Sequence, residues 1–243
     1  MPWTLDRAAR RTRPTLVAVL AATALSTGCA GMTIQTAPPG PAQTAYLSAA
    51  GVPTTEEARA LLDTLPVKGR APKTGYDRDR FGDSWSDDVD VAGGRNGCDT
   101  RNDILARDLT GITHKPGTRD CVVATGTLAD PYTGTTIDFR RGQHTSAAVQ
   151  IDHVVALSDA WQKGAQQLDP RQRRNFANDP RNLLAVDGPA NQRKSDSDAA
   201  SWLPPNKPYR CVYVAKQIDV KAAYALWVTR AEKDAMTRVL DVC

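Results

Sequence analysis

Residues 147–197 restrict the possible fold more than any other part of this 243-residue chain. An apolar, strand-like run ends there in Asp152-His153, and a second short strand is predicted over Asn182 to Val186. A helix is expected to begin at Gly188, because the proline that follows suits the first turn of a helix. The pattern therefore predicts a strand–strand–helix unit with a carboxylate and an imidazole at the end of its first strand.

The residue types in this unit suit the hydrolysis of a phosphodiester. His153 can accept a proton from water, because an imidazole ordinarily titrates near neutral pH. Asp152 and the amide oxygen of Asn191 are hard ligands of the kind that hold a divalent cation beside a phosphate. Arg193 and Lys194 add positive charge in the predicted helix, whose N-terminus itself favours a phosphate.

Positive charge concentrates around this unit. Residues 1–28 hold four of the 31 basic and one of the 27 acidic residues, so without them the formal charge falls from +4 to +1. That balance excludes a uniformly basic coat for nucleic acid. The segment from Lys163 to Lys194 nevertheless has seven basic and three acidic residues, a local charge of +4. An anionic partner is expected to bind at this local patch.

Three short motifs of the chain resemble those of the HNH (ββα-metal, or His-Me finger) nucleases. The motifs are Asp152-His153-Val154-Val155, Asn182-Leu183 and Asn191-x-x-Lys194-Ser195-Asp196. They are similar in particular to the His-Asn-Asn variant in the HNH domain of RNA-guided DNA endonucleases, including the nine-residue step between the two asparagines. From about Tyr76 to Cys243, the chain looks like secreted bacterial HNH-family proteins related to the C-terminal domain of GmrSD-type restriction enzymes.

The resemblance implies a role for each matching residue. His153 would be the general base, Asp152 and Asn191 the metal ligands, and Asn182 a brace for the loop that bears the histidine. Arg193, Lys194 and Arg181 would contact substrate phosphates. Because Asn191 stands where the family name has its final histidine, an oxygen-rich Mg²⁺ or Mn²⁺ site is favoured over a zinc site.

The expected function is that of a secreted or surface-anchored, metal-dependent endonuclease. DNA is the expected substrate, bound with low sequence specificity through its backbone, although the sequence does not distinguish DNA from RNA. A monomer is expected. The alternative is a catalytically inactive cell-surface lipoprotein that binds nucleic acid or a protein partner.

The N-terminus has the features of an export signal. Four arginines precede the apolar stretch Leu16 to Leu25, and small residues then lead to Cys29. Leu25 to Cys29 resembles a bacterial lipobox, which predicts lipidation of Cys29; cleavage by the ordinary signal peptidase is the alternative. We therefore expect a signal peptide over 1–28, a flexible linker over 29–52 and an exported nuclease domain over 53–243, anchored to the membrane only through a lipid.

The cysteines and histidines narrow the kinds of site further. Apart from Cys29, four cysteines remain and none forms a C-x-x-C pair, so two disulfides are expected rather than a zinc ribbon. Three connectivities are possible, and Cys98–Cys121 with Cys211–Cys243 is favoured because each pair closes a local loop. His114 and His144 are interpreted as exposed loop residues. Acidic residues between Asp83 and Asp90 lack the order of a calcium-binding loop and are interpreted as turn residues.

The fold class predicted for the whole domain is α+β: a ββα-metal core within a mostly helical, loop-rich single domain with two disulfides. A hairpin is expected where Val122 to Leu128 and Thr135 to Phe139 flank a Pro- and Gly-containing turn. Capping boxes predict helices after Thr54 and Thr229, and Asp219 is expected to cap a helix that reaches about Val228. Helical spacing is also seen over Asp99 to Leu109. Four aromatic residues are expected in the core: Trp202, Tyr213, Tyr224 and Trp227.

Overall fold

Two small antiparallel sheets lie among seven α-helices in residues 51–243, the part of the chain that the computed structural model describes. The strands are β1 (Leu109–His114), β2 (Val123–Ala129), β3 (Thr136–Arg140), β4 (Val149–His153) and β5 (Leu183–Asp187). The helices are α1 (Thr55–Thr64), α2 (Thr100–Asp108), α3 (Leu157–Gln162), α4 (Pro170–Asn178), α5 (Gly188–Lys194), α6 (Arg210–Ala223) and α7 (Arg230–Leu240). This is the mixed α+β single domain that the sequence predicts. The expected signal peptide, Cys29 and nearly all of the expected linker lie outside the described residues.

Strands β4 and β5 and helix α5 follow one another in space as the sequence predicts. The two strands pair antiparallel, with Asp152 opposite Leu184 and His153 opposite Leu183. Asp187 ends β5 and caps α5 by accepting a hydrogen bond from the backbone N–H of Ala190 at 2.7 Å. The helix therefore turns back onto the strands immediately after β5.

The predicted hairpin is present as β2 and β3, joined by the expected turn. The sequence did not show that β1 extends the hairpin to a sheet of order β1-β2-β3. The interpretation of His114 as a loop residue is consequently wrong: His114 ends β1, pairs with Val123 and is half-buried. His144 lies in a connection and is exposed, as expected.

The capping boxes of α1 and α7 are confirmed, since Thr54 with Glu57 and Thr229 with Glu232 form both hydrogen bonds of the motif. The prediction that Asp219 starts a helix is wrong. Asp219 lies well inside α6, which begins at Arg210 without a side-chain cap and ends at Ala223. Helix α6 directly continues a short 3₁₀ turn, so its first residue has no sequence signal of the usual kind.

The core packs around α6. Tyr213 is fully buried there, Trp227 is buried, and Trp202 and Tyr224 are partly buried against the apolar clusters, which confirms the four aromatic residues as core. No helix among residues 51–243 is long and apolar enough to cross a membrane.

Both expected disulfides are formed. Cys98 pairs with Cys121 at a Cα–Cα distance of 5.2 Å, and Cys211 pairs with Cys243 at 5.9 Å. The first joins the start of α2 to the segment before β2, and the second joins α6 to the residues after α7. Each closes a loop of moderate length, for which a contribution of about 3 kcal/mol to stability is typical.

A group of charged side chains joins α3, α6 and α7, and all of them are buried except Arg70, which is exposed; we call it the core ion network. The Lys163 ammonium lies 2.7 Å from a carboxylate oxygen of each of three acidic residues. The Lys221 ammonium lies 3.3 Å and 3.0 Å from two of the same carboxylates. The network consists of Arg70, Asp159, Lys163, Asp198, Lys221 and Glu232. Opposite charges balance within it, as burial requires.

Candidate active site

The end of β4 presents the two side chains of the Asp-His pair to opposite faces of the small sheet, because successive residues of a strand alternate. Asp152 contacts Tyr132 and Lys194 of α5. The His153 ring lies on the other face, against Trp85 and the C-terminal end of α4. The two adjacent residues therefore lie in different surroundings, and each has its own set of partners.

His153 is held as a neutral imidazole. Its Nε2 lies 2.8 Å from the carbonyl oxygen of Ala177, and the Trp85 ring stacks on it at 5.9 Å between centroids. Burial lowers the pKa of His153 to about 3, against the opposing effect of the Ala177 carbonyl. Because a carbonyl oxygen only accepts, Nε2 must carry the proton, and Nδ1 keeps the free electron pair. The neutral ring therefore has its proton on Nε2, and Nδ1 is the nitrogen that can accept a proton.

A shallow cavity opens beside this imidazole. His153 lines it together with Ala177 and Asn178 at the end of α4. Residues of the connection between α1 and α2 form the opposite wall, among them Arg78, Asp83, Ser84 and Trp85. The Arg78 side chain is exposed and supplies a positive charge at the rim. Asp83 is also exposed and adds a negative charge to the same wall, so the cavity has one charged side chain of each sign.

Asn182 ties the turn after His153 to α4. Its Oδ1 accepts a hydrogen bond from the backbone N–H of Val155 at 2.8 Å, and its Nδ2 donates to the carbonyl oxygens of Val155 and Phe176, both at 3.3 Å. The side chain is fully buried. These bonds fix the chain on both sides of the imidazole, since Phe176 immediately precedes Ala177.

Asp152 is buried and both of its carboxylate oxygens have partners. One accepts from the Lys194 ammonium at 2.9 Å, and the other accepts from the Tyr132 hydroxyl. Burial raises the pKa of Asp152 above its ordinary value, while Lys194 and Tyr132 oppose this shift. We call these three residues the site cluster.

Lys194 does not occupy the surface position that a phosphate contact requires. It is fully buried, and its ammonium donates to Asp152 and, at 2.8 Å, to the backbone carbonyl of His153. The expectation that Lys194 contacts a substrate phosphate is corrected by this position. The apolar stem of Lys194 is buried, and its ammonium compensates the buried carboxylate of Asp152.

The other expected polar residues lie on different sides of the unit. Asn191 lies one helical turn before Lys194, and its Nδ2 donates to Gln150 Oε1 at 3.0 Å. Arg193 is exposed on the same helix. Arg181 is exposed before β5, and its guanidinium is bonded to Asp179 at 2.6 Å. The structure thus places Asn191 on the same helix as Lys194, whereas Arg181 is bonded to Asp179 before β5.

The donor atoms of Asp152 and Asn191 fit a divalent cation in kind. Gln150, the partner of Asn191, lies two residues before Asp152 on the same face of β4, so both candidate ligands face the β4–α5 interface. A carboxylate and an amide oxygen suit Mg²⁺ or Mn²⁺. Coordination by Asp152 would require it to give up Lys194 or Tyr132. Among residues 51–243, no three His, Cys, Asp or Glu side chains are grouped for metal binding.

Three parts of this arrangement have no signal in the sequence. Tyr132 lies in the hairpin turn, where its sequence neighbours predict only a turn. Trp85 lies in a segment dense in Asp and Gly, and the Ala177 contact is made by a backbone atom. A buried tyrosine is expected to find a hydrogen-bond partner, but only the folded chain shows that the partner is Asp152.

A comparison with known protein families identifies the family of this chain. Residues 99–239 match the family described as GmrSD restriction endonucleases, C-terminal domain. This chain belongs to that family. The matched region includes both strands of the unit, α5 and the site residues from Tyr132 to Lys194, whereas Arg78 and Trp85 lie before it.

A fungal protein is similar to this chain over most of its length. It comes from Arthroderma benhamiae, is called an uncharacterized secreted protein, and is 39% identical over 195 residues, which cover 79% of this chain and 87% of the relative. No solved structure matches the chain. The GmrSD C-terminal family membership therefore rests on sequence, and the arrangement of site residues rests on the geometry above.

Proposed function

We propose that this member of the GmrSD C-terminal family is an exported, metal-dependent endonuclease that hydrolyses phosphodiester bonds of nucleic acid, with DNA as the expected substrate. The proposal rests on the protonation, the hydrogen bond and the position of the His153 ring. The imidazole is neutral, its Nε2 is bound to the Ala177 carbonyl, and the ring lines a cavity that the Arg78 side chain also lines. These are the requirements for a base that acts on water next to a phosphate.

In this mechanism, Nδ1 of His153 accepts the proton of the attacking water. A histidine with a low pKa is a weak base, but a phosphodiester anion that binds beside the ring raises its pKa. The hydrogen bond to Ala177 fixes the ring while the proton moves, and the bonds of Asn182 fix the chain that bears the ring. Arg78 at the cavity rim and Arg193 on α5 are the proposed phosphate contacts.

Asp152 and Asn191 are the proposed ligands of a divalent cation, Mg²⁺ or Mn²⁺. Because the His153 ring lies on the opposite face of β4 from these ligands, the proposed phosphate site is at the end of the strand, where a substrate can reach both faces. An ion bound there would stabilise the negative charge that develops on the phosphate and on the leaving oxygen. Without a bound cation, the Lys194 ammonium is the counter-ion of the Asp152 carboxylate. We propose that Lys194 is a positioning residue of this carboxylate.

Export is proposed from the signal-like N-terminus together with the name of the fungal relative, which describes that protein as secreted. Lipidation of Cys29 is the further proposal for anchoring the domain. We further propose that the protein is a monomer and binds the nucleic-acid backbone with low sequence specificity.

The test is plasmid digestion by the purified domain with Mg²⁺ or Mn²⁺. His153→Ala is expected to lower the cleavage rate by about 10²- to 10⁴-fold, the usual contribution of a general base. His144→Ala is the matched control, because this exposed histidine lies outside the site. EDTA is expected to stop cleavage by the wild type.

Two results would count against the proposal. A folded His153→Ala variant that cleaves at the wild-type rate removes the imidazole from the mechanism. A wild-type domain that binds DNA and never cleaves it, with either metal, supports the alternative of an inactive binding protein at the cell surface.

A further inference from the structure

A groove separate from the His153 cavity lies between α2, the end of β2, β5 and α6. Its volume is about 500 Å³, within the range of pockets that hold small organic ligands. Apolar side chains form its walls, among them Leu128, Leu184 and Val212. Three cationic side chains also line it: Arg107, Arg181 and Lys216. We call this site the Lys216 groove.

The two arginines of the groove already have anionic or carbonyl partners. Arg107 binds the Asp108 carboxylate at 2.6 Å and 2.9 Å and the carbonyl oxygens of Pro180 and Leu183, both at 2.8 Å. Arg181 binds Asp179. The carboxylate of Asp108 is therefore committed to Arg107, and it also accepts from the backbone N–H of Ala185.

Lys216 differs from both arginines. Only 7% of its surface is exposed, and within residues 51–243 no hydrogen bond or ion pair of its ammonium is found. Burial lowers the pKa of Lys216 to about 8, with the charge of Arg107 acting in the same direction and the carboxylates of Asp108, Asp219 and Asp179 opposing it. None of these carboxylates bonds to the ammonium, so an anion in the groove would gain a charge-assisted hydrogen bond.

The adjoining part of the chain offers no such anion. Val52 lies at the groove, and the sequence from Ala30 to Val52 contains no charged residue. The groove therefore combines apolar walls with one ammonium that no anion bonds directly, which suits a ligand that is partly apolar and carries an anionic group.

We propose that the Lys216 groove binds a nucleotide unit, with its phosphate on the Lys216 ammonium and its base against Leu128, Leu184 and Val212. The choice of a nucleotide rests on the proposed nuclease function. The connection between α4 and β5 supports it, because Asn178 at one end lines the His153 cavity and Arg181 at the other lines the groove. The unit belongs to a substrate strand or is a free nucleotide.

The experiment measures binding of thymidine 5′-monophosphate by calorimetry in EDTA, so that no cleavage occurs. The wild type is expected to bind it saturably and to bind thymidine, which lacks the phosphate, much more weakly. Lys216→Met is expected to lower the affinity for the monophosphate by about tenfold or more, since a charge-assisted hydrogen bond is lost. Lys207→Met, which removes an exposed charge outside the groove, is expected to leave the affinity unchanged.

The melting temperature of Lys216→Met, expected to be at least that of the wild type, shows that the variant folds; Lys216→Gln repeats the test with a polar side chain. Octathymidylate distinguishes a unit of a substrate strand from a free nucleotide. If it binds more tightly than the monophosphate, the groove binds a substrate strand; if both bind equally, the groove binds a free nucleotide. Equal affinity of wild type and Lys216→Met, or absence of saturable binding by the wild type, overturns the proposal. Because the assay needs no catalysis, loss of cleavage in His153→Ala and loss of binding in Lys216→Met are independent results.

Discussion

The core ion network and the site cluster both bury charge, but they do so with different redundancy. In the network, Lys163 contacts three carboxylates from different parts of the chain, and Lys221 contacts two of the same groups. In the site cluster, one ammonium faces one carboxylate, and the remaining partners are the Tyr132 hydroxyl and a backbone carbonyl. The network keeps most of its contacts if one is lost, whereas the site cluster has only one ion pair.

This difference separates carboxylates with a structural role from a carboxylate whose cation partner can be exchanged. A carboxylate that is shared by several ammonium groups cannot be transferred to another cation without leaving those groups unpaired in the interior. Asp152 has a single ammonium partner, so a divalent cation that binds this carboxylate would displace only Lys194, whose ammonium also donates to the backbone carbonyl of His153. The Lys216 groove is the extreme case, in which the buried ammonium has no partner within the described residues.

The largest expected effect is on the network. Lys163→Met leaves three buried carboxylates short of one ammonium, so a loss of about 3–5 kcal/mol in the free energy of unfolding is expected. Urea titration measures it. Lys233→Met is the control, because its ion pair with the exposed Asp63 is expected to contribute less than about 1 kcal/mol. A loss for Lys163→Met that is no larger than that of the control would remove the distinction between the two regions.

Lys194→Met tests the exchangeable pair. A smaller loss of about 3 kcal/mol is expected, because Tyr132 continues to bind Asp152 and a carboxyl with a raised pKa can take up a proton. Mn²⁺ is expected to raise the melting temperature of this variant more than that of the wild type. The Mn²⁺ dissociation constant, measured by calorimetry, is expected to fall, since the competing ammonium is absent. An unchanged Mn²⁺ affinity would show that Asp152 is not a ligand.

The smallest effect concerns the unpaired lysine and appears as a dependence of stability on pH. The pKa of Lys216 is about 8 in the folded chain and about 10.4 in an unfolded one. Between these values the unfolded chain binds more protons, so stability is expected to rise as the pH increases from 8 to 10, by about 2 kcal/mol from this group. Chemical denaturation of the wild type and of Lys216→Met at several pH values measures the difference, and parallel curves would contradict it.

The sequence predicts the local parts of this molecule well and its long-range contacts poorly. Strands β4 and β5, the hairpin and the capping boxes of Thr54 and Thr229 depend on neighbouring residues, and the structure contains them, although β5 begins at Leu183 and Asn182 lies in the turn before it. The disulfides were predicted because each closes a short loop.

The partners of Asp152 depend on packing between distant segments. Tyr132 is twenty residues away in sequence and Lys194 forty-two. The sequence identified Lys194 as a charge near a predicted phosphate site, but whether an ammonium points outward or inward is decided by what the helix packs against. The start of α6 was missed for a related reason, since no capping residue precedes Arg210.

The Cys98–Cys121 bridge has a practical consequence for work on this protein. Thr100, two residues after Cys98, donates its backbone N–H to the carbonyl of Trp85 at 3.2 Å, and the Trp85 ring covers the imidazole of His153. The disulfide-bonded Cys98 and the Trp85 ring that stacks on His153 therefore belong to one short segment, residues 85–100. Material produced in a reducing cytosol lacks that tether, so samples for activity assays should come from periplasmic or secretory expression, with the thiols shown to be oxidised.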